Sequence, residues 1–167
     1  MKLLIRCVFI IFLFGISISK SDESTVFIDI DFVLNNSNLG KSIYFELETL
    51  NKENIKKLKT KEKILKEKED AINKKKNISS KEQINNDIKK LKQEFDKYKL
   101  EKKKLVENFN LKKKEKLDSF LIKINPLIQE YMKQNSIDII LEKNQIFIGN
   151  NNKDITNDIL ELVDKNL

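Results

Sequence analysis

The apolar positions of this chain change their period twice. Thr25-Val26-Phe27-Ile28-Asp29-Ile30 is a β-branched and aromatic run, which predicts a strand. Between residues 41 and 135 the period becomes helical. Ile84, Ile88, Leu91, Phe95, Tyr98, Lys102, Leu105 and Phe109 stand at alternating spacings of four and three, an a/d heptad seam with one polar interruption at Lys102. The seam resumes after a one-residue slip at Leu117, Phe120, Ile124, Leu127 and Tyr131. A weaker seam lies upstream at Leu47, Leu50, Ile55, Leu58, Leu65 and Ile72, with Asn or Lys at several expected positions. After residue 136 short apolar runs return. Ile137–Leu141 and Gln145–Ile148 predict a second and a third strand around a turn at Glu142-Lys143-Asn144. Ile159, Leu160, Leu162 and Val163 predict a last short helix capped by Asp154 or Thr156.

Two seams joined by a break predict a hairpin. Asn73 to Ser80 interrupts the apolar pattern, and Ser79 with Glu82, or Ser80 with Gln83, fits the capping box that opens a helix. The reversal is therefore expected near residues 74–80. The first helix, of roughly 35 residues, would span roughly 50 Å. Pro126 removes one backbone hydrogen bond and is expected to kink the second helix. The fold class expected is α+β. Residues 22–40 and 136–167 form a small β-rich body, and residues 41–135 form a long antiparallel coiled-coil arm inserted between strands one and two. A body of roughly 50 residues without disulfides is marginal for a core, which favours oligomerisation through the sheet. Val26, Ile28, Ile30, Ile137, Ile139 and Leu141 are the candidates for subunit contacts.

Composition narrows the chemistry. The chain has no His, three Gly and a single Cys, Cys7. Lys2 and Arg6 precede an apolar run from Cys7 to Ile18, with small residues at Ser17, Ser19 and Ser21. Residues 1–21 therefore read as a secretory signal peptide, cleaved after Ser19 or Ser21. The apolar run is shorter than the ~20 residues a membrane-spanning helix needs. Removing it removes the only thiol. Thiol and imidazole catalysis, and Cys- or His-ligated metals, are then excluded, and no glycine-rich phosphate loop exists. The expectation is a protein that is not an enzyme, with no cofactor and no metal.

Charge divides the chain. Residues 41–135 hold 27 Lys and 16 acidic residues, a net +11, whereas residues 22–40 and 136–167 together hold 3 Lys and 10 acidic residues, a net −7. A basic middle between acidic ends points to an acidic partner or an anionic lipid surface for the middle. Nucleic acid is disfavoured, because export, the absence of Arg after residue 6 and the interleaving of acids with the lysines all oppose it. Lys74, Lys75 and Lys76, with Lys102, Lys103 and Lys104, are the candidate capture residues. Leu58, Leu65, Phe95 and Phe109 are candidates for apolar contact with a partner, and equally for the arm's own packing.

The amino-terminal run Phe27-Ile28-Asp29-Ile30-Asp31-Phe32-Val33-Leu34, followed by Ser37 and Gly40-Lys41, resembles the opening of the Skp/OmpH family of periplasmic chaperones. Ile137-Asp138-Ile139-Ile140-Leu141-Glu142-Lys143 is similar to that family's second strand. Asp154-Ile155-Thr156-Asn157-Asp158-Ile159-Leu160 is similar to its final helix. The motifs occur in order along the whole chain after the leader; one departure is Ile148, where relatives often carry an aromatic residue. The resemblance implies a homotrimer whose pooled strands form one core and whose three arms surround a cavity. It also implies a periplasmic holdase, independent of ATP, for unfolded outer-membrane β-barrel proteins. A structural coiled-coil spacer of the envelope is the alternative.

Overall fold

The computed structural model describes residues 24–76 and 78–167. The expected signal peptide lies outside these residues, as does Asn77 at the expected hairpin tip. Strand β1 (Thr25–Ile28) pairs in parallel with β2 (Ile139–Glu142), Thr25 opposite Ile139 and Ile28 opposite Glu142. Parallel strands need a crossover connection, and here the whole arm supplies it. The other edge of β1 is also bonded. Phe27 bridges to Asp154, and the Ile155 N–H donates to the Phe27 carbonyl at 2.9 Å.

Two expected strand assignments are corrected. Ile30 is helical, because the Asp29 carboxylate accepts the Phe32 N–H at 2.8 Å and caps helix α1 (Ile30–Asn36). The expected third strand at 145–148 does not form. A 3-10 turn occupies Lys143–Gln145 directly after β2, and a second such turn follows at Asn151–Lys153. Gly149 lies so close to the buried Phe27 ring that a Cβ there would come within 2.7 Å of Cε1.

Helix α2 (Asn38–Lys75) follows a sharp bend. The buried Ser37 hydroxyl accepts the Gly40 N–H at 3.1 Å and caps it. Gly40 is required by contact: a Cβ would fall 1.7 Å from the Leu34 carbonyl oxygen. Helix α3 (Lys81–Gln134) returns alongside and carries Pro126 inside it. It ends with Ser136 at φ 51° and the Ile137 N–H bonded to the Met132 carbonyl at 2.9 Å, a Schellman-type stop. The last helix, α4 (Thr156–Asn166), packs Ile159 and Val163 inward.

One apolar core unites these elements. Val26 and Ile28 of β1 meet Val33 and Leu34 of α1, Ile43 and Leu47 of α2, Phe120 and Ile124 of α3, and Ile155, Ile159 and Val163 near the carboxyl end. The core therefore does not stop at residues 40 and 135. It reaches into the roots of both arm helices, because α4 alone is too short to cover the sheet.

The reversal occurs where it was expected. Helix α2 ends at Lys75 and α3 begins at Lys81, with the Ser80 hydroxyl accepting the Gln83 N–H at 3.3 Å. Of the two overlapping capping boxes, the chain uses the second. The α3 seam is displaced from the expected one. Ile84, Asp87, Leu91, Glu94, Tyr98, Glu101 and Leu105 turn inward, while Ile88 and Lys102 are exposed.

Gly40 gives a test with opposed effects. Alanine in a helix is favoured over glycine by about 1 kcal/mol, but a backbone collision of this kind typically costs about 1–3 kcal/mol. Gly40→Ala is expected to lower stability by up to about 2 kcal/mol in urea unfolding at fixed protein concentration. A gain near 1 kcal/mol would mean that α1 moves aside freely.

Candidate functional site

The arm is held by polar contacts where a coiled coil usually places leucine. Lys61 pairs with Glu101, Lys68 with Glu94 at 2.6 Å, and Glu46 with Lys116. The two residue numbers of each pair have the same sum, as a single antiparallel register requires. The hydrogen bond from Lys116 holds the Glu46 carboxyl below its usual range, against slight desolvation. The Lys residues that weaken the first seam in the sequence thus face carboxylates, Glu94 and Glu101, that stand one residue before alternate positions of the second seam. Asn54 is buried at another seam position.

Such a seam packs incompletely. Three open clefts of about 140, 220 and 240 Å³ lie between α2 and α3. The first is lined by Asn54, Ile55, Leu58, Leu105, Val106 and Phe109. Ile64, Leu65 and Tyr98 floor the second, with Lys61, Glu94 and Glu101 around them. Ile72 and Leu91 floor the third.

The expected contact residues separate on this frame. Leu58 and Phe109 share the first cleft, Leu65 is buried in the second, and Phe95 is half-buried. All four therefore lie in or beside the seam. Lys74, Lys75 and Lys76 are exposed at the end of α2. Lys102, Lys103 and Lys104 are exposed too, but Lys102 lies 21 residues into α3, roughly 30 Å from its start, so the two lysine groups form no common patch. Sequence reasoning missed the exposed apolar residues outside the seam: Phe45, Leu100, Leu111 and Ile122, which are 61–70% exposed. The available signal was apolar residues at non-heptad positions of a lysine-rich helix.

The register also divides the six expected subunit-contact residues. Val26, Ile28 and Ile137 are buried in the chain's own core, with Ile30 half-buried against it. Residues paired directly across a parallel ladder share a face, so Ile139 and Leu141 lie on the face of Phe27, opposite Val26 and Ile28. Both are about two-fifths exposed. Phe147 and Ile148, in the segment that fails to form a strand, are 98% and 83% exposed beyond them.

A polar knot closes the body. The Thr156 hydroxyl accepts the Asp29 N–H at 2.9 Å and donates to Asp154, which also accepts the Thr156 N–H at 3.0 Å and the Lys143 ammonium at 2.9 Å. Partial burial works against the ionised Asp154, but the bonds from Thr156 and Lys143 prevail and hold its carboxyl below the usual range. The same bond raises Lys143. Tyr131 donates to Asp158 at 2.6 Å, and burial together with that carboxylate pushes the phenol up to about 12. No helix among the described residues is long and apolar enough to cross a membrane.

The family model for outer membrane protein (OmpH-like) matches residues 24–163, both strands and the whole arm. The chain belongs to the OmpH-like family. Among solved structures, a provisionally assigned outer membrane chaperone (OmpH-like) from Caulobacter crescentus CB15 has the same fold. The TM-score is 0.81 at 14% identity, over 89% of this chain and 88% of that one. No curated protein sequence matches it. Within this OmpH-like fold the Asp-Ile-Thr motif has a physical role: Asp154 and Thr156 fasten the carboxyl-terminal helix to the end of β1.

A carboxylate with a lowered pKa stabilises the fold above its unfolded value, near 4, and that contribution fades as pH falls through the lowered value. Asp154→Asn is expected to cost about 1–2 kcal/mol at pH 7. The difference from the unaltered chain should shrink below pH ~4, read by urea unfolding across pH. A constant difference down to pH ~2 would rule out the ionised carboxylate as its source.

Proposed function

We propose that this OmpH-like chain is a periplasmic holdase that works without ATP, as a homotrimer, on unfolded outer-membrane β-barrel proteins. The observation that carries this reading is the arm: a basic helical hairpin that leaves Phe45, Leu100, Leu111 and Ile122 open to solvent. An envelope spacer gains nothing from exposed apolar residues away from its seam. A holdase needs them, because an unfolded barrel strand is apolar at alternate residues and aggregates in water. Binding that chain in its unfolded form lowers its free concentration by mass action and needs no catalysis.

The two kinds of arm residue have different tasks. An exposed lysine contributes under ~1 kcal/mol to a fixed contact and is screened beyond ~8–10 Å in physiological salt. A large apolar side chain contributes about 1.5–3 kcal/mol when buried, and salt does not screen it. Lys74, Lys75, Lys76, Lys102, Lys103 and Lys104 therefore speed capture of acidic clients, and they attract anionic lipid surfaces by the same field. Apolar groups hold the client. Subunits meet through Ile139, Leu141, Phe147 and Ile148, the apolar residues that the body leaves uncovered.

An unfolded outer-membrane β-barrel protein, diluted from urea, is expected to remain clear by light scattering when this chain is present without nucleotide. Unchanged aggregation at a several-fold excess of chain would leave the spacer reading in possession. Raising salt from low to physiological should slow client association markedly and change dissociation little. Changing Lys74, Lys75 and Lys76 to Gln should reproduce the slower association; several-fold faster dissociation instead would make the lysines the lasting contacts.

Assembly has its own measurement. Multi-angle light scattering should give three subunit masses. Phe147→Asp, at a position almost wholly exposed in the single chain, should reduce that to one with helix content retained in circular dichroism. A stable folded monomer of the unaltered chain would end the trimer reading.

A further inference from the structure

We propose that the distal half of the arm unzips along its seam and that the faces so exposed are themselves the apolar client site. The proposal rests on the holdase reading and names the surface that performs it. The occupant is an extended, net-acidic segment of an unfolded β-barrel chain.

Four observations converge on this surface. The continuous core ends on α2 at Leu47 and, in its half-buried fringe, on α3 at Phe109. Farther out, the cross-helix contacts at Lys61–Glu101 and Lys68–Glu94 are ion pairs whose side chains are between one-third and one-half exposed. Exposed pairs of this kind contribute little and weaken with salt. The three clefts all lie between α2 and α3, so the seam is already incompletely filled. Finally, Leu58 and Leu65, apolar residues of distal α2, spend their burial on this weak seam.

The clefts repeat with the heptad, so successive sockets lie roughly 10 Å apart. An extended chain covers that distance in about three residues. A client therefore meets several apolar sockets in sequence, two of them bordered by lysines (Lys61 and Lys97 at one, Lys68 and Lys90 at the next), on an arm whose net charge is +11. That charge selects an acidic chain over a basic one of equal hydropathy.

The geometry provides a reversible lock. Lys68→Cys with Glu94→Cys, in a chain carrying Cys7→Ser, lets the two helices be joined across the seam on oxidation, by a disulfide or by a short reducible dithiol linker that spans the former Lys–Glu pair, without removing any apolar group. Affinity for a labelled, unfolded outer-membrane barrel protein diluted from urea is read by fluorescence anisotropy. The oxidised arm is expected to bind at least tenfold more weakly than the reduced one, and a reductant should restore binding. Affinities within twofold of each other overturn the proposal while leaving the holdase reading intact; absence of binding by the unaltered chain overturns both. If that variant misfolds, Lys61→Cys with Glu101→Cys supplies the same lock one heptad away. Should oxidation change only the binding of anionic vesicles, or only the subunit mass, the seam serves lipid or a second copy and the client assignment is wrong.

Discussion

Everything in this molecule depends on β1 being bonded along both edges. Four residues near the amino end pair with β2, which follows the whole arm, and with Asp154–Ile155, just before the last helix. A strand so short could not hold on one ladder alone. With both edges bonded and Val26, Phe27 and Ile28 buried, it joins three distant parts of the chain at one place. The arm is then a closed excursion whose two roots are fixed side by side, each seated in the core by its own residues, Ile43 and Leu47 on α2 and Phe120 and Ile124 on α3.

Two physical regimes follow from that closure. In the body, apolar side chains from every element fill one core, and the polar groups at its margin are bonded, as in the Asp29–Asp154–Thr156–Lys143 knot. In the arm, partners are paired by charge, and the spaces between them stay open. Burial costs little to keep and much to lose, whereas half-exposed ion pairs exchange readily for water. Stability is thus concentrated at the root, and adaptability is concentrated toward the tip. That division suits the holdase activity proposed for this chain.

The same uneven packing accounts for where apolar groups remain exposed. Arm residues such as Phe45 and Leu111 have no third element to cover them, because the hairpin is only two helices thick. In the body, Ile139, Leu141, Phe147 and Ile148 are uncovered because the small sheet has helices over one face only.

The sequence by itself determined the two-helix arm, its reversal near 74–80, the strands that bracket it and the membership that its ordered motifs announced. These features are local. Helical periodicity over the arm, a Ser-x-x-Gln cap and the β-branched run at 25–28 each act over a few residues, and those elements form where that local chemistry places them. Only the tertiary structure decided three further matters, each because it joins residues far apart in the chain. The parallel register turned Ile139 and Leu141 away from Val26 and Ile28. The 3-10 turn at Lys143–Gln145 and the close approach of Gly149 to the Phe27 ring stand where a third strand was expected at 145–148. Lysines on α2 pair with Glu94 and Glu101 and shift alternate positions of the α3 seam by one residue, because pairing a charge across a half-wet interface leaves it partly solvated, whereas a lysine set against leucine would lose solvent without gaining a partner.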